Sequence, residues 1–177
     1  MKKTAVFSLL FLLPLFAAAQ IEMYITDRDV TTNIRSTPGG SIVRSVPNKG
    51  YVYLFRITEV RGKWLKIDKP SFVRYSEDGE NEIRGLLDDV RGECWIHNTV
   101  AKTHICRPGA VPVEYRLHRT PSSTSKVIYV GNRQRGETWN DDDLILLEIR
   151  GKWKKVRNPE GITGWTDAEL AVGLWSA

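Results

Sequence analysis

The sequence predicts an all-β protein built from two tandem copies of one small domain. A nine-residue segment occurs twice, as Glu59–Ile67 and Glu148–Val156, and six of its nine positions are identical. Short runs of β-branched and aromatic residues alternate with turn residues along the chain, which is the composition of short strands. After the N-terminal apolar run, no segment keeps an apolar period of 3.6 over three turns, so long helices are not predicted. These observations favour two small barrels or sandwiches.

The first residues have the features of a secretory signal peptide. Lys2 and Lys3 precede the apolar run Val6–Phe16, and small residues at 17–19 form a cleavage pattern. We expect residues 1–19 to be removed and the protein to be exported to the periplasm or the extracellular space. An uncleaved anchor is the alternative, but the apolar run is short for a bilayer.

Charge and hydropathy exclude several classes of partner. The whole chain carries a net charge of +5, and removal of the two signal-peptide lysines leaves +3. This mild positive balance favours anionic partners only weakly. Export and the lack of a dense Lys/Arg stretch argue against nucleic acid as a ligand. No later segment has the length and hydropathy of a membrane span.

The first copy is predicted over residues 20–103. Turn clusters at 37–40 and 47–50 separate strand candidates, because they concentrate proline, asparagine and glycine. The aromatic and β-branched run Tyr51–Ile57 is typical of a strand. In the repeated segment Gly62 supplies the positive φ that a tight hairpin turn requires.

An insertion over about residues 70–91 makes the first copy longer than the second. Within it, the runs 72–75 and 83–87 flank Asp78-Gly79, a pair that predicts a hairpin turn. The insertion is locally acidic on a basic protein. It is either a solvated hairpin or a lobe that gates or extends a binding surface.

The second copy is predicted over residues 113–177, after a linker at 104–112. Four blocks of the first copy recur in it in the same order, which makes coincidence a poor explanation. The four paired blocks are Ile34–Pro38 with Leu117–Pro121, Ile42-Val43 with Val127-Ile128, Phe55–Val60 with Leu144–Ile149, and Cys94–Val100 with Gly164–Leu170.

These blocks resemble the bacterial SH3-like domain family, often called SH3b. The resemblance is carried by Arg-Ser-x-Pro at a strand end, Gly-x-Trp-x-Lys-Ile/Val, and a closing tryptophan. In this chain the parts are Ile34–Pro38, Gly62–Ile67, Trp95, Leu117–Pro121, Gly151–Val156 and Gly164-Trp165. Departures are His118-Arg119 in place of Arg-Ser and Cys94 in place of the closing glycine. The resemblance implies two SH3-like β-barrels that bind cell-wall peptides or glycans.

Aromatic and basic residues near the repeated turn are the candidate ligand-binding residues. Because side chains alternate along a strand, Trp64 shares a face with Lys66, opposite the aliphatic residues, and is expected to be half-exposed. The candidates are Trp64, Trp153, Arg35, Tyr51, Tyr53, Lys66 and Lys155. The alternative is that the tryptophan closes one end of a barrel. Trp95 and Trp165 are expected in the core.

One position of the repeat changes character, from Leu65 in the first copy to Lys154 in the second. If Lys154 lies on a wet surface, the two copies have diverged in use as well as in sequence.

The two cysteines are expected to form a structural disulfide, Cys94–Cys106, because oxidised pairs prevail in exported proteins. The alternatives are that the two cysteines are unpaired, or that they form a zinc site together with His97 and His104. Catalysis by a cysteine would need a histidine in hydrogen-bond reach, and no recognisable arrangement of this kind occurs. A calcium site at Asn140–Asp143 lacks the spacing of a known binding loop. We therefore predict no enzyme activity, no metal and no cofactor.

The predicted function is non-catalytic recognition of a peptidoglycan peptide or glycan in the cell envelope. The alternative is a protein–protein adaptor that docks on an envelope or secreted partner. A cysteine-dependent hydrolase is a remote third possibility.

Overall fold

The computed structural model describes residues 21–75, 82–90, 92–105, 113–133 and 144–171, and it confirms the all-β class. The signal peptide lies outside the described residues. In the part of the chain that the structure describes, no helix has the length and hydropathy to cross a membrane. Within these ranges the one helical element is a 3-10 turn, Asn98–Val100.

The first sheet contains eight strands and includes the first copy of the repeat. Its strands are β1 (Ile21–Ile25), β2 (Thr31–Arg35), β3 (Ile42–Pro47), β4 (Val52–Arg61), β5 (Trp64–Tyr75), β6 (Glu82–Leu86), β7 (Cys94–His97) and β8 (Ala101–Lys102). They are ordered β3-β2-β7-β5-β4-β1-β8, with β6 paired to β5 off this path.

The second copy forms a five-stranded sheet, and a two-stranded sheet joins the copies. The remaining strands are β9 (His104–Ile105), β10 (Val113–His118), β11 (Val127–Arg133), β12 (Ile145–Arg150), β13 (Trp153–Arg157), β14 (Thr163–Thr166) and β15 (Leu170–Ala171). The five-stranded order is β11-β10-β14-β13-β12, and β9 pairs with β15.

The duplication seen in the sequence is also a duplication of topology. If β2, β3, β4, β5 and β7 are matched to β10, β11, β12, β13 and β14, the two strand orders are identical. The register agrees as well, since Lys66 lies opposite Trp95 and Lys155 lies opposite Trp165. An irregularity also repeats. The register between β2 and β3 shifts at Ile34/Arg35, and the register between β10 and β11 shifts at the equivalent position, Leu117/His118. The repeated turns have the expected positive φ, 60° at Gly62 and 56° at Gly151.

The insertion forms the predicted antiparallel hairpin. β5 continues past the repeated segment, and Tyr75, Phe72 and Ser71 lie opposite Glu82, Gly85 and Leu86. The ring of Phe72 lies across Gly85, where an added Cβ would come within 2.6 Å of the ring. The turn at Asp78-Gly79 lies outside the described residues. The hairpin is thus an extension of β5 rather than a separate lobe.

One hydrophobic core runs through both copies. Its buried residues from the first copy include Phe55 and Leu65, and those from the second include Leu117, Leu146 and Val156.

The copies are also joined by hydrogen bonds. Thr103 and Leu144 form a reciprocal backbone pair, and the buried Asn98 side chain donates to the Leu146 carbonyl at 3.3 Å. The predicted linker begins with β9, whose His104 and Ile105 pair with β15 of the second copy. The segment 104–112 is therefore not wholly a linker.

Candidate functional site

Two matched groups of side chains lie at the repeated turns. We call Arg35, Lys63, Trp64 and His97 the Trp64 site, and their positional counterparts His118, Lys152, Trp153 and Asp167 the Trp153 site. Each group combines the end of one strand, the residue after the turn glycine, the tryptophan, and a residue at the end of the closing strand (His97) or directly after it (Asp167). The same scaffold therefore presents two versions of one arrangement.

The repeated strand places its tryptophan on the side opposite the core, as alternation predicts. In β5 the aliphatic residues Leu65 and Ile67 are 0% and 4% exposed and belong to the core, whereas Trp64 and Lys66 are half-buried. Trp64 lies directly opposite His97 on β7. The expected half-exposed position is confirmed for Trp64.

The indole of Trp64 is bordered by an imidazole, a guanidinium and a glycine loop. The His97 ring meets it edge-on, with ring centroids 5.3 Å apart and an interplanar angle of 88°. The Arg35 guanidinium carbon lies 6.0 Å from the indole centroid, within cation–π range. A Cβ on Gly39 would be 4.0 Å from the ring edge. Three separate segments thus surround one partly accessible aromatic ring.

Hydrogen bonds fix both neighbours of that ring. Arg35 Nη1 donates to the Gly40 carbonyl at 2.6 Å, which leaves the other guanidinium N–H groups for further partners. His97 Nδ1 accepts from the Thr99 backbone N–H at 3.4 Å and so caps the 3-10 turn, and the Thr99 hydroxyl, at 2.7 Å from the same nitrogen, can donate to it as well. We therefore assign the proton of the neutral ring to Nε2. Burial lowers the pKa of His97, and the nearby Lys63 ammonium lowers it further.

The Trp64 site carries positive charge without an acidic partner. Among the residues that the structure describes, neither Arg35 nor Lys63 has a carboxylate within ion-pair distance. With His97 neutral, the site has two cations, one N–H donor and an aromatic surface. Such a site suits a ligand that combines an anionic or polar group with an apolar or sugar surface.

The Trp153 site is closed and neutralised by its own side chains. Lys152 Nζ donates to the Asp167 carboxylate at 2.9 Å and lies 5.5 Å from the Trp153 centroid. The His118 ring meets Trp153 edge-on at 5.3 Å, and its Nδ1–H donates to the Ser125 carbonyl at 3.0 Å. Trp153 is only 8% exposed. The expectation that Trp153 is half-exposed is wrong, because these side chains cover it.

The bond from Lys152 also sets the ionisation of its partner. This hydrogen bond holds the pKa of Asp167 below its usual value, and the ammonium charge acts in the same direction. Asp167 is therefore a carboxylate at neutral pH, and the ion pair persists there.

Trp95 and Trp165 are buried as predicted, but beneath cationic side chains rather than in the main core. The Arg61 guanidinium lies 4.9 Å from the Trp95 centroid, and the Arg150 guanidinium lies 5.0 Å from that of Trp165. Lys66 and Lys155 lie over the same two rings, at 5.9 and 5.8 Å. Trp95 is 1% exposed, and its buried Nε1 has no hydrogen-bond partner among the described residues.

The two predicted ligand-binding lysines differ in their charge environment. Lys66 forms an ion pair with Glu93, which lies just before β7. No ion pair of Lys155 occurs among the described residues. Both ammonium groups lie beside the tryptophan sites rather than within them.

The two predicted tyrosines do not join the Trp64 site. Tyr53 is 3% exposed and belongs to the core, so its proposed place on a binding surface is wrong. Tyr51 stacks on it at 5.7 Å and meets Phe72 edge-on at 5.7 Å. Tyr53 pairs with Phe72 at the far end of β5, beyond the repeated segment, and Tyr51 immediately precedes β4. Strand length therefore separates them from Trp64.

Lys154 lies inside the protein and not on a wet surface. It is 2% exposed, and its Nζ donates to the Ala168 carbonyl at 3.0 Å. Burial lowers the pKa of the ammonium, although Asp167 and Glu169 partly oppose this effect. The second copy thus buries a lysine where the first buries Leu65.

Only one of the two cysteines, Cys94, lies among the described residues. Cys94 is 1% exposed in the core, and burial raises the pKa of its thiol. Cys106 lies outside the described residues, so the disulfide stays a prediction, as does the calcium alternative at 140–143. Within the described ranges, no group of three or more His, Cys, Asp and Glu side chains could hold a metal ion.

A shallow groove of about 280 Å³ lies on the insertion hairpin, away from both tryptophan sites. It is lined mainly by apolar side chains, with one guanidinium, and Leu86 at its rim is 63% exposed. The lining residues are Leu54, Ser71, Phe72, Val73, Arg84, Gly85 and Leu86.

Sequence reasoning missed half of the Trp64 site. It identified Trp64 and Arg35 but assigned no binding role to Lys63 or His97. His97 follows Trp95 by two residues, so alternation places it on the same face of β7, and this could have identified it.

No protein-family model matches the chain, and no curated protein matches it significantly.

Proposed function

We propose that this is an exported, non-catalytic recognition protein of the bacterial cell envelope, whose Trp64 site binds a peptidoglycan peptide or glycan. The observation that carries the proposal is a half-buried indole within cation–π range of Arg35, with Lys63 next to it in the sequence and close enough to act on His97. Among the described residues, neither cation has an acidic partner. Tryptophan and arginine are the residues that most often anchor binding surfaces. The resemblance to SH3-like domains and the signal-peptide pattern point to the same class of ligand.

The geometry favours recognition over cysteine chemistry. Cys94 and His97 are three positions apart on one strand, so their side chains point to opposite faces of the sheet. Cys94 packs in the core, where burial raises its pKa and disfavours the thiolate that a nucleophile needs. A hydrolase built on this pair has no support from these contacts.

A protein–protein adaptor is the second candidate, and the groove on the hairpin favours it. Leu86 and Ile83 are 63% and 47% exposed on β6, a strand that pairs only with β5 among the described strands. Exposed apolar groups on such a strand are a recurring feature of docking surfaces.

Retention of the mature chain on purified peptidoglycan tests the first proposal. Trp64→Ala is expected to weaken retention by roughly thirtyfold or more, which corresponds to loss of an anchor residue. Leu86→Ala is the matched control, since it removes an exposed apolar side chain outside the site. Both variants are compared by circular dichroism to show that the fold is intact.

The two candidates give opposite results in this assay. Wall recognition predicts that only Trp64→Ala loses retention. If the wild-type chain is not retained at low salt, the wall proposal is wrong and the hairpin groove becomes the leading surface. If Trp64→Ala and wild type bind equally, the wall ligand binds elsewhere on the chain.

A further inference from the structure

We propose that the ligand of the Trp64 site carries a carboxylate, which Arg35 and Lys63 bind while its neighbouring atoms pack on Trp64. This inference deepens the proposed function and rests on it. It follows from a comparison of the two matched sites, because the second copy already contains a carboxylate in the corresponding place.

In the second copy, the lysine of the site is paired with a carboxylate of the same chain. At the position of His97 it has Asp167, and at the position of Lys63 it has Lys152; these two side chains form an ion pair of 2.9 Å. The pair lies beside an indole that is 8% exposed. An internal carboxylate therefore neutralises this site and accompanies its closure.

The first copy lacks this internal carboxylate. His97 replaces the aspartate, so the ammonium of Lys63 has no acid to pair with among the described residues. Arg35 replaces His118 and adds a second positive charge within 6.0 Å of the indole centroid. The Trp64 site thus has two cations and an aromatic ring but no carboxylate of its own among the described residues, and the indole stays partly exposed.

An external carboxylate would supply the negative charge and the hydrogen-bond acceptors that Asp167 supplies in the second copy. A guanidinium presents several N–H donors to carboxylate oxygens, and one donor of Arg35 is already used to fix its orientation on the Gly40 carbonyl. The Nε2–H of His97 adds a neutral donor beside Trp64. Charge-assisted hydrogen bonds of this kind are the stronger ones in protein recognition.

The test uses isosteric substitutions at one residue. His97→Asp places an acid beside Lys63 as in the second copy, whereas His97→Asn removes the imidazole without adding charge. Both asparagine and aspartate cap helical turns, so either variant preserves the cap that His97 provides to residues 98–100. Circular dichroism and the unfolding midpoint verify that each variant folds.

Binding is measured by titration calorimetry on the mature chain with three probes. These are an acetylated stem tetrapeptide that ends in a D-alanine carboxylate, the same peptide as its carboxamide, and a glucuronate oligosaccharide. The carboxylate peptide is expected to bind at least roughly tenfold more tightly than the carboxamide. His97→Asp is expected to weaken this binding by roughly tenfold relative to His97→Asn. Preference for the glucuronate would assign the carboxylate to a sugar.

The outcomes separate this inference from the proposed function. If wild type is retained on peptidoglycan but binds peptide acid and carboxamide equally, the carboxylate inference is wrong and wall recognition stands. Equal affinity of the two His97 variants for the carboxylate peptide would overturn it as well. Binding of the carboxylate peptide without retention on the wall would reject the wall proposal and keep the inference.

Discussion

Replacement of the buried Lys154 by methionine is expected to stabilise the protein. Lys154 is 2% exposed, and the Ala168 carbonyl, at 3.0 Å, is the partner that its Nζ contacts. Leu65 occupies the equivalent position of the first copy at 0% exposure, so the scaffold accepts an apolar side chain there. Methionine keeps the length and packing of the lysine stem and removes only the ammonium.

The magnitude follows from two opposing contributions. Removing an ammonium from water costs several kcal/mol even after relaxation, and a hydrogen bond from a charged donor returns about 1.5–3 kcal/mol. Burial lowers the pKa of Lys154 in spite of the opposing charges of Asp167 and Glu169, which is the direction expected if the cost exceeds the return. We therefore expect Lys154→Met to raise the free energy of unfolding by about 1 kcal/mol at pH 7.

The pH dependence provides the sharper test. The pKa of Lys154 in the folded protein lies below its ordinary value of 10.5, so between these two values the unfolded chain binds more protons. The stability of the wild type therefore rises with pH through this window. The advantage of Lys154→Met is largest at neutral pH and shrinks towards pH 10.5.

Urea unfolding followed by tryptophan fluorescence at pH 7, 8.5 and 9.5 measures both quantities. Lys154→Leu serves as a second variant, because it installs the residue of the first copy. The reasoning is refuted if both variants are less stable than wild type at pH 7. It is also refuted if their difference from wild type does not change with pH.

The remaining predictions concern the repeated turns and the closed site. Gly62→Ala and Gly151→Ala should each cost about 1 kcal/mol of unfolding free energy in urea titrations, because both glycines have positive φ and open space around the Cβ position. Equal costs test the structural equivalence of the turns. Trp153→Ala should cost about 3–5 kcal/mol and Trp64→Ala clearly less, and equal midpoints in thermal unfolding would contradict the difference in burial. The lowered pKa of Asp167 contributes stability above its usual value of 3.8 that is lost as pH falls through the folded pKa, so Asp167→Asn should flatten the acid limb of stability against pH.

The fold was largely predictable because the repeat constrains it. The nine-residue segment, the turn glycines and the alternation of Leu65 and Ile67 indicate a hairpin whose aliphatic face is buried. The insertion hairpin followed from one Asp-Gly pair between two short strands. Sequence blocks in matching order predicted the copies, and the strand orders agree with them.

The site was less predictable because its character depends on contacts between distant strands. Trp64 and Trp153 have the same neighbours in sequence, yet one is half-buried and the other is covered. The difference comes from His97 at the end of β7 and Asp167 just after β14, because only the aspartate forms an ion pair with the neighbouring lysine. Lys154 was equally hard to predict. Side-chain alternation along the strand places it on the same face as the aliphatic Val156, whereas its charge predicts exposure to solvent.

The shared interior makes the two copies thermodynamically dependent on each other. β12 of the second copy packs against β4 of the first, and the core includes residues of both. Excision of either copy would expose its neighbour's apolar surface, so we expect a single cooperative transition instead of two. By linkage, a ligand held at Trp64 would also slow amide hydrogen exchange in β12 and β13. Amide exchange in the second copy would then report ligand binding to the first copy, although the second copy does not contact the ligand.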